Sequence, residues 1–394
     1  MNVPKLRFKE FNDESYRKDI LKNIISYIAD NRGKNPDYYL DSGIPVIDNF
    51  MIQNQGYPDL SRANRYIDDN IYENFIRKAI EYNDTLITLV GNGIGNICLT
   101  PKEKCVIIQN TLGLRTNKFN DKKYLYHLLT YKNSEIKKLD RGMAQPSIRQ
   151  DELLKLEVTI PNINEQLKIS NFLSLLDKKI ELQSKKIEDL KLFKSSQIIN
   201  FFNKNNFAEV NIKNIGFFQS GNSLSKDCLT SSGVPIILYG DLYTKYNEVI
   251  KKVEQYTNDN KKYVKSKQNQ IIFPTSTTVN SLSLISPSSI NLDGIIYGGD
   301  ILILNLNKDV NADFLSYEIN HYKKKEFSKI AQGSTIIHIH AEDLLNCKIA
   351  LPNIVLQDKF ALTFNKLNQK IELENNKLNK LQKLKKGLMQ SMFV

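Results

Sequence analysis

Cysteine and histidine are scarce in this 394-residue chain, and their placement removes several chemistries at once. The four cysteines, Cys98, Cys105, Cys228 and Cys347, form no CxxC pair and no close cluster with histidine, so no zinc site is expected. The four histidines, His127, His321, His338 and His340, offer no Ser-His-Asp arrangement. His338 and His340 alternate on one face of a strand-like run without a third ligand, which fits structural or nucleic-acid-facing histidines better than a metal site. No run is apolar for the length of a membrane helix, and the opening MNVPKLRFKEF has no signal-peptide core. A soluble, cytoplasmic chain with free, packed thiols and no membrane partner is expected.

Nucleotide motifs are missing too. There is no Walker lysine motif, and no Asn-Pro-Pro-Tyr or Asp-Pro-Pro-Tyr motif of amino-methyltransferases. Gly91-Asn-Gly-Ile-Gly95 looks like a glycine loop, but Asn96–Pro101 follows as a strand-like run ending in proline. A dinucleotide site needs a helix there. No catalytic, cofactor-binding or metal-ligating residue is therefore expected.

What is present is a basic surplus: 55 Lys+Arg against 43 Asp+Glu, a net charge of +12. That balance favours an anionic partner, nucleic acid or a membrane surface. With 41% hydrophobic and 25% charged residues the composition is that of a globular protein, and the length suits two or three domains.

The chain also repeats itself. Gln145–Phe202 aligns without gaps on Ile336–Phe393 at a constant offset of 191 residues. Leu153-Leu154 falls on Leu344-Leu345, Pro161-Asn162-Ile163 on Pro352-Asn353-Ile354, Gln166 on Gln357, and Ile180-Glu181-Leu182 on Ile371-Glu372-Leu373. Upstream of these tails similarity fades, although Lys123–Leu129 and Asp313–Ile319 keep a like pattern.

Each tail reads as one long helix. Leu173, Leu176, Ile180, Ile187, Leu190 and Phe201 form a heptad seam, repeated by Phe364, Leu367, Ile371, Leu378, Leu381, Leu388 and Met392. Asn162 with Glu165 predicts a capping box; Leu356 replaces the glutamate in the second copy, which predicts a weaker cap. A helix of about 38 residues spans about 57 Å and needs a partner helix. Antiparallel pairing of the two tails, with pseudo-twofold symmetry, is the expectation. Gln183 and Glu374 fall at one seam position, Lys194 and Lys385 at another. Polar residues there either fix register or mark a partly solvated seam.

The larger regions mix helical patterns (Tyr124–Tyr131, Phe314–Tyr322) with strand-like runs (Thr85–Val90, Cys105–Gln109, Val234–Tyr239, Gln270–Phe273, Ile301–Leu306). The expected fold class is α+β: two tandem α/β heads at 1–158 and 206–349, with helical spacers at 159–205 and 350–394. Amides, hydroxyls, Lys and Arg on the loops are the groups that read base edges and hold phosphates. The candidates are Asn92, Arg141, Gln145 and Ser147 in the first head. In the second they are Ser225, Lys226, Tyr239, Tyr243, Lys245, Thr275, Ser276, Thr277, Ser334, Thr335 and His338.

Arg141-Gly-Met-Ala-Gln-Pro-Ser-Ile148, then Leu153-Leu154 and PNINEQLKISNFLSLLDKKIELQ, resembles the junction of recognition domain and conserved helix in specificity subunits of type I restriction-modification enzymes. Gln332-Gly-Ser-Thr335, Leu344-Leu345 and LPNIVLQDKF resemble a second junction. The opening VPKLRF and Leu238–Tyr246 resemble starts of such domains, and the resemblance covers essentially the whole chain. It implies a non-catalytic subunit whose two recognition domains each read half of a split, asymmetric double-stranded DNA site. It implies helices that set the spacing and dock two modification subunits. Those partners would bring S-adenosylmethionine and methylate adenine, and restriction subunits would cleave using ATP and Mg. The alternatives are a subunit for a fused nuclease-methyltransferase, or a coiled-coil adaptor with no sequence preference.

Overall fold

The computed structural model describes every residue except Met1, Asn2, Lys34, Gln55, Met143, Ala144 and Asn260. Parts of two quoted strings, Met1-Asn2 of the opening and Met143-Ala144 of the first junction, thus lie outside the described residues. The chain divides into two units: residues 1–185 with 376–394, and residues 186–375.

In the first unit, β1 (Ile25–Ala29), β2 (Thr85–Thr88), β3 (Ile97–Leu99) and β4 (Thr111–Thr116) form a sheet ordered β1-β4-β2-β3. All its ladders are antiparallel. Every residue of β2 is buried, as expected of a central strand without a solvent face. Helix α1 (Lys122–Tyr131) packs Tyr124, Leu125, Leu128 and Leu129 into the same core as Leu112 and Leu114. It starts at Asp121, whose carboxylate accepts the Tyr124 N–H at 2.8 Å.

The second unit builds its main sheet the same way. Strands β5 (Gly216–Ser220), β6 (Val249–Ile250), β7 (Gln270–Pro274), β8 (Ser288–Ile290) and β9 (Ile301–Leu306) are ordered β5-β9-β7-β8-β6. The first four positions match β1-β4-β2-β3, and β6 is an added edge strand, parallel to β8. Helix α3 (Ala312–Tyr317) stands where α1 does and is capped likewise, Asn311 accepting the Phe314 N–H at 2.9 Å. Smaller pairs correspond too: Arg17–Ile20 with Glu157–Ile160, against Glu209–Asn211 with Lys348–Ala350. The two heads are one fold used twice.

Two strand and helix expectations are corrected. Cys105–Gln109 forms no strand: Cys105 to Ile108 are buried, but the run makes only a single parallel bridge, Val106 to Val46, because no neighbouring strand continues the ladder. The helix expected at Phe314–Tyr322 begins at Ala312 and widens into a π-turn over Glu318–Tyr322. There Asn320 donates to the Ser316 carbonyl at 2.9 Å, and the Lys323 N–H reaches back to Glu318 at 3.0 Å.

The tails are helices α2 (Ile163–Lys204) and α4 (Ile354–Met392). Both start on an asparagine: Asn162 accepts the Glu165 N–H at 2.9 Å and Asn353 the Leu356 N–H at 3.0 Å. The capping box is therefore corrected to a single cap in each copy. The Glu165 carboxylate is held by Arg7 at 2.7 Å and by Tyr16 at 3.1 Å. Since the donor is a backbone N–H, Leu356 costs the second cap nothing.

Within each unit the two helices pair antiparallel. In the first, Asp177 of α2 forms an ion pair with Lys385 of α4, while Ile169 and Leu173, earlier in α2, share a core with Met389 and Met392, later in α4. In the second, Lys186 meets Glu374 at 3.0 Å and Lys194 meets Asn368 at 2.9 Å. Ile198 and Phe202 pack with Phe360, Ala361 and Phe364. Leu173, Ile187 and Ile371 are buried; Leu176, Ile180, Leu190, Leu367, Leu378, Leu381 and Leu388 are half-buried. The polar seam residues are engaged rather than solvated: Lys194 is buried between Glu248 and Asn368, and Lys385 is taken by Asp177.

Candidate nucleic-acid interface

Three positive-φ glycines, Gly91 (87°), Gly93 (94°) and Gly95 (76°), turn the chain between β2 and β3. The turn forms the floor of an open cleft of about 740 Å³ in the first unit. A second loop closes over it. The Gly91 N–H donates to the Pro146 carbonyl at 2.9 Å, and Ile148 N–H to Leu89 at 2.8 Å. Asp140 braces that loop, accepting the backbone N–H groups of Gly142 at 3.0 Å and Ser147 at 2.8 Å. Those two bonds hold its carboxyl below the usual range.

Of the sequence candidates in the first head, Asn92 and Gln145 line the cleft. Arg141 and Ser147 do not. Arg141 forms an ion pair with Glu152 at 2.7 Å, and its N–H donates to the Ser147 carbonyl at 3.1 Å, so both residues shape the loop. Sequence reasoning missed Asn64, Arg65, Gln109 and Asn110 in the lining. Arg65 is clamped by Asp48, with a second contact at 3.2 Å, and lies over the Tyr39 ring at 4.6 Å. Asn110 sits at φ 62°, a conformation asparagine tolerates; that residue type just before β4 was the available signal.

The second unit repeats this layout with other side chains. Asp300 (φ 54°) stands where Asn110 does: the Thr275 N–H donates to its carbonyl at 2.9 Å, as Leu89 N–H does to Asn110 at 2.7 Å. Ile339 N–H then donates to Thr275 as Ile148 does to Leu89. Thr275 is half-buried, whereas Ser276 and Thr277 lie inside the fold, a correction to their reading as surface contacts. They pair with His338 and Ile337. The Ser276 hydroxyl donates to Asp300 at 2.8 Å. Tyr243 lies against Thr277: burial raises its phenol and a hydrogen bond to Thr277 opposes that rise. Tyr239 meets Tyr243 edge-on at 6.4 Å, and Lys245 is paired with Asp241 at 2.9 Å. Ser225, Lys226, Ser334, Thr335 and His338 are exposed, Ser225 donating to Asp227 at 3.1 Å. The Gly299 N–H bonds Leu224 at 2.9 Å, bringing the Ser225–Lys226 loop beside Asp300.

The strand reading of His338-Ile339-His340 holds as far as His338; His340 is the residue before a short helix, Ala341–Leu345. Among the described residues no group of three His, Cys, Asp or Glu side chains could hold a metal ion, and no helix is long and apolar enough to cross a membrane. The described geometry offers a polar cleft at the loop ends of the first unit's sheet, and loops of like backbone layout at the same end of the second unit's sheet. Hydrogen-bonding side chains on loops held by a rigid sheet suit recognition of a polar surface.

Comparison with known proteins adds to this. The family model described as the type I restriction modification DNA specificity domain matches residues 22–192 and again 204–383. The specificity subunit of type I restriction enzyme MjaVIII from Methanocaldococcus jannaschii is 24% identical over 399 residues, covering 93% of this chain and 89% of that protein. The crystal structure of the S subunit of a type I restriction-modification system from M. genitalium is similar at a TM-score of 0.63 and 17% identity, covering 100% of this chain and 99% of that one. A chain from a structure addressing complex assembly and conformational transition of the type I R-M system is similar at a TM-score of 0.55 and 17% identity, covering 96% and 97%.

Proposed function

We infer function from one premise: this chain belongs to the family of type I restriction modification DNA specificity domains and carries two of them in tandem. It is a specificity subunit, the part that selects the DNA and not the part that reacts with it. Each head reads one half of a bipartite, asymmetric site in double-stranded DNA. The observation that carries this reading is the repeated sheet order with different side chains on the corresponding loops of the two heads. A constant frame with changeable lining is what two unlike half-sites require.

The long helices set the distance between half-sites and dock two modification subunits. Their outward apolar residues support docking: Leu175 and Leu182 in the first unit, and Leu362 and Leu373 in the second, are all more than half exposed. Leu175 and Leu182 fall on one face of α2, and Leu362 and Leu373 on one face of α4, so each pair lies along a stripe that a partner would cover. S-adenosylmethionine belongs to those modification subunits, and ATP and Mg to the restriction subunits that join them. Reading two halves on one stiff frame makes the second contact intramolecular, which multiplies selectivity. Mapping genomic adenine methylation with and without the gene tests the reading: one bipartite motif disappears on deletion. A methylome that does not change contradicts it.

A further inference from the structure

The first unit's cleft has an unusual lining for a surface that meets DNA. Asn64, Asn92, Gln109, Asn110 and Gln145 line it, and none of their side-chain amides hydrogen-bonds to a described residue. Asn49 and Asn96, also in the lining, are committed: Asn49 donates to Val90 at 2.9 Å and Asn96 to Ile52 at 2.9 Å. Among the described residues the only cation in the lining is Arg65, and it is paired with Asp48. The cleft thus presents uncommitted carboxamides and no free positive charge.

A carboxamide offers one acceptor and two donors side by side. Adenine's major-groove edge offers the complement, N7 accepting and N6–H donating, and Asn or Gln bonds it in bidentate fashion. Guanine's O6 and N7 both accept and call for Arg or Lys. Phosphate accepts from amides as well, but its strongest contacts are with cations, and Arg65 here is already paired with Asp48. Gly93 on the floor carries no Cβ, and the Asn96 amide packs into that space, 3.1 Å from where a Cβ would stand. The Gln145 amide lies directly over Gly91, about where a Cβ there would touch it at 3.4 Å.

We propose that this cleft reads A·T pairs through its carboxamides, with Gln145 and Asn92 as specificity-determining residues. The half-site read by the first head then contains at least one A·T pair besides the methylated one. The second head, with Tyr239, Tyr243, Thr275 and His338 at its corresponding loops, follows a different rule. This inference rests on the DNA-reading function proposed above.

The test uses the full chain with its own modification subunits in cells, read by genome-wide adenine methylation. Exchanging residues 1–158 for a relative's identifies which half the first head reads; no change in either half would defeat the function proposed above rather than this inference. With that half known, Gln145→Ala and Asn92→Ala are each expected to relax one A·T position, with discrimination falling about tenfold or more. Gln145→Glu keeps the shape and removes the amide donor, and should shift that position toward cytosine, whose N4–H donates to a carboxylate. Three results overturn the proposal: a half-site with only G·C pairs beyond the methylated one, unchanged motifs in all three variants, or complete loss of methylation in both Gln145 variants, which would make the residue structural.

Discussion

The side-chain carbonyl of Gln166 accepts the backbone N–H of Asp121 at 3.0 Å. Its amide donates to Pro161 at 2.9 Å and Asn120 at 3.1 Å. One buried residue in the first turn of α2 therefore fixes the start of α1. Gln357 repeats the device, bonding the Asn311 N–H at 2.8 Å, Pro352 at 2.8 Å and Asp309 at 3.2 Å. Each spacer helix is locked to its own head by a satisfied amide. Gln166→Ala leaves these groups without partners and is expected to destabilise the first unit by about 1–3 kcal/mol, with Gln357→Ala doing the same to the second. Denaturant unfolding followed by hydrogen exchange at α1 and α3 checks both.

Lys194 and Glu248 form a buried ion pair at 2.7 Å, with both side chains 9% exposed. His321 bonds the same carboxylate at 2.5 Å, and Asn368 bonds its other oxygen at 3.2 Å. Burial alone would raise the Glu248 carboxyl, but the His321 hydrogen bond and the Lys194 charge hold it below its ordinary value. Lys194→Met leaves a buried carboxylate short of its cation, expected to cost about 3–5 kcal/mol. The double variant Lys194→Met, Glu248→Gln should recover part of that loss. A double-mutant cycle of unfolding free energies measures it.

Glu318 in the π-turn is fully buried, and burial pushes its carboxyl up to about 8 despite the Ala350 N–H donated at 2.6 Å. The folded chain thus holds this proton where the unfolded chain, with a carboxyl near 4.5, has lost it. Its stabilising contribution is complete below about pH 4.5 and disappears as pH rises toward 8. Glu318→Gln stays neutral throughout. Its stability relative to the parent should rise by about 2–4 kcal/mol between pH 5.5 and pH 8.5, read from denaturant midpoints at the two pH values. A gap that stays constant means the carboxyl is not protonated in the fold.

Adding one heptad to each long helix, after Gln183 and after Glu374, preserves the seam and lengthens each helix by about 10 Å. The spacer between half-sites should grow by about three base pairs at 3.4 Å each, with both half-sites unchanged. Methylome mapping of the inserted variant checks it, and an unchanged spacer removes the ruler role.

The helices were legible because their signals are local: the heptad period, Asn162 and Asn353 as caps, and an exact repeat offset. The central strands at Thr85 and Ile301 were legible as apolar runs. The order of strands was not, since β1 and β4 are separated by most of the head and pair through contacts that no local pattern encodes. Gln166 was visible as a repeated residue, but its partner Asp121 lies on another element. The cleft was half legible. Asn92 and Gln145 sit on recognisable glycine and junction loops, while Asn64, Gln109 and Asn110 reach the same cleft only because the sheet folds three distant loops together. Ser276 and Thr277 misled because a polar run read as surface is, in this fold, a buried strand.

The modular account stands on one exchange. Replacing residues 1–158 with the corresponding head of another family member, in the chain with its modification partners, should change one half of the methylated motif and leave the other half and the spacer as they were. A motif altered in both halves, or in neither, contradicts it.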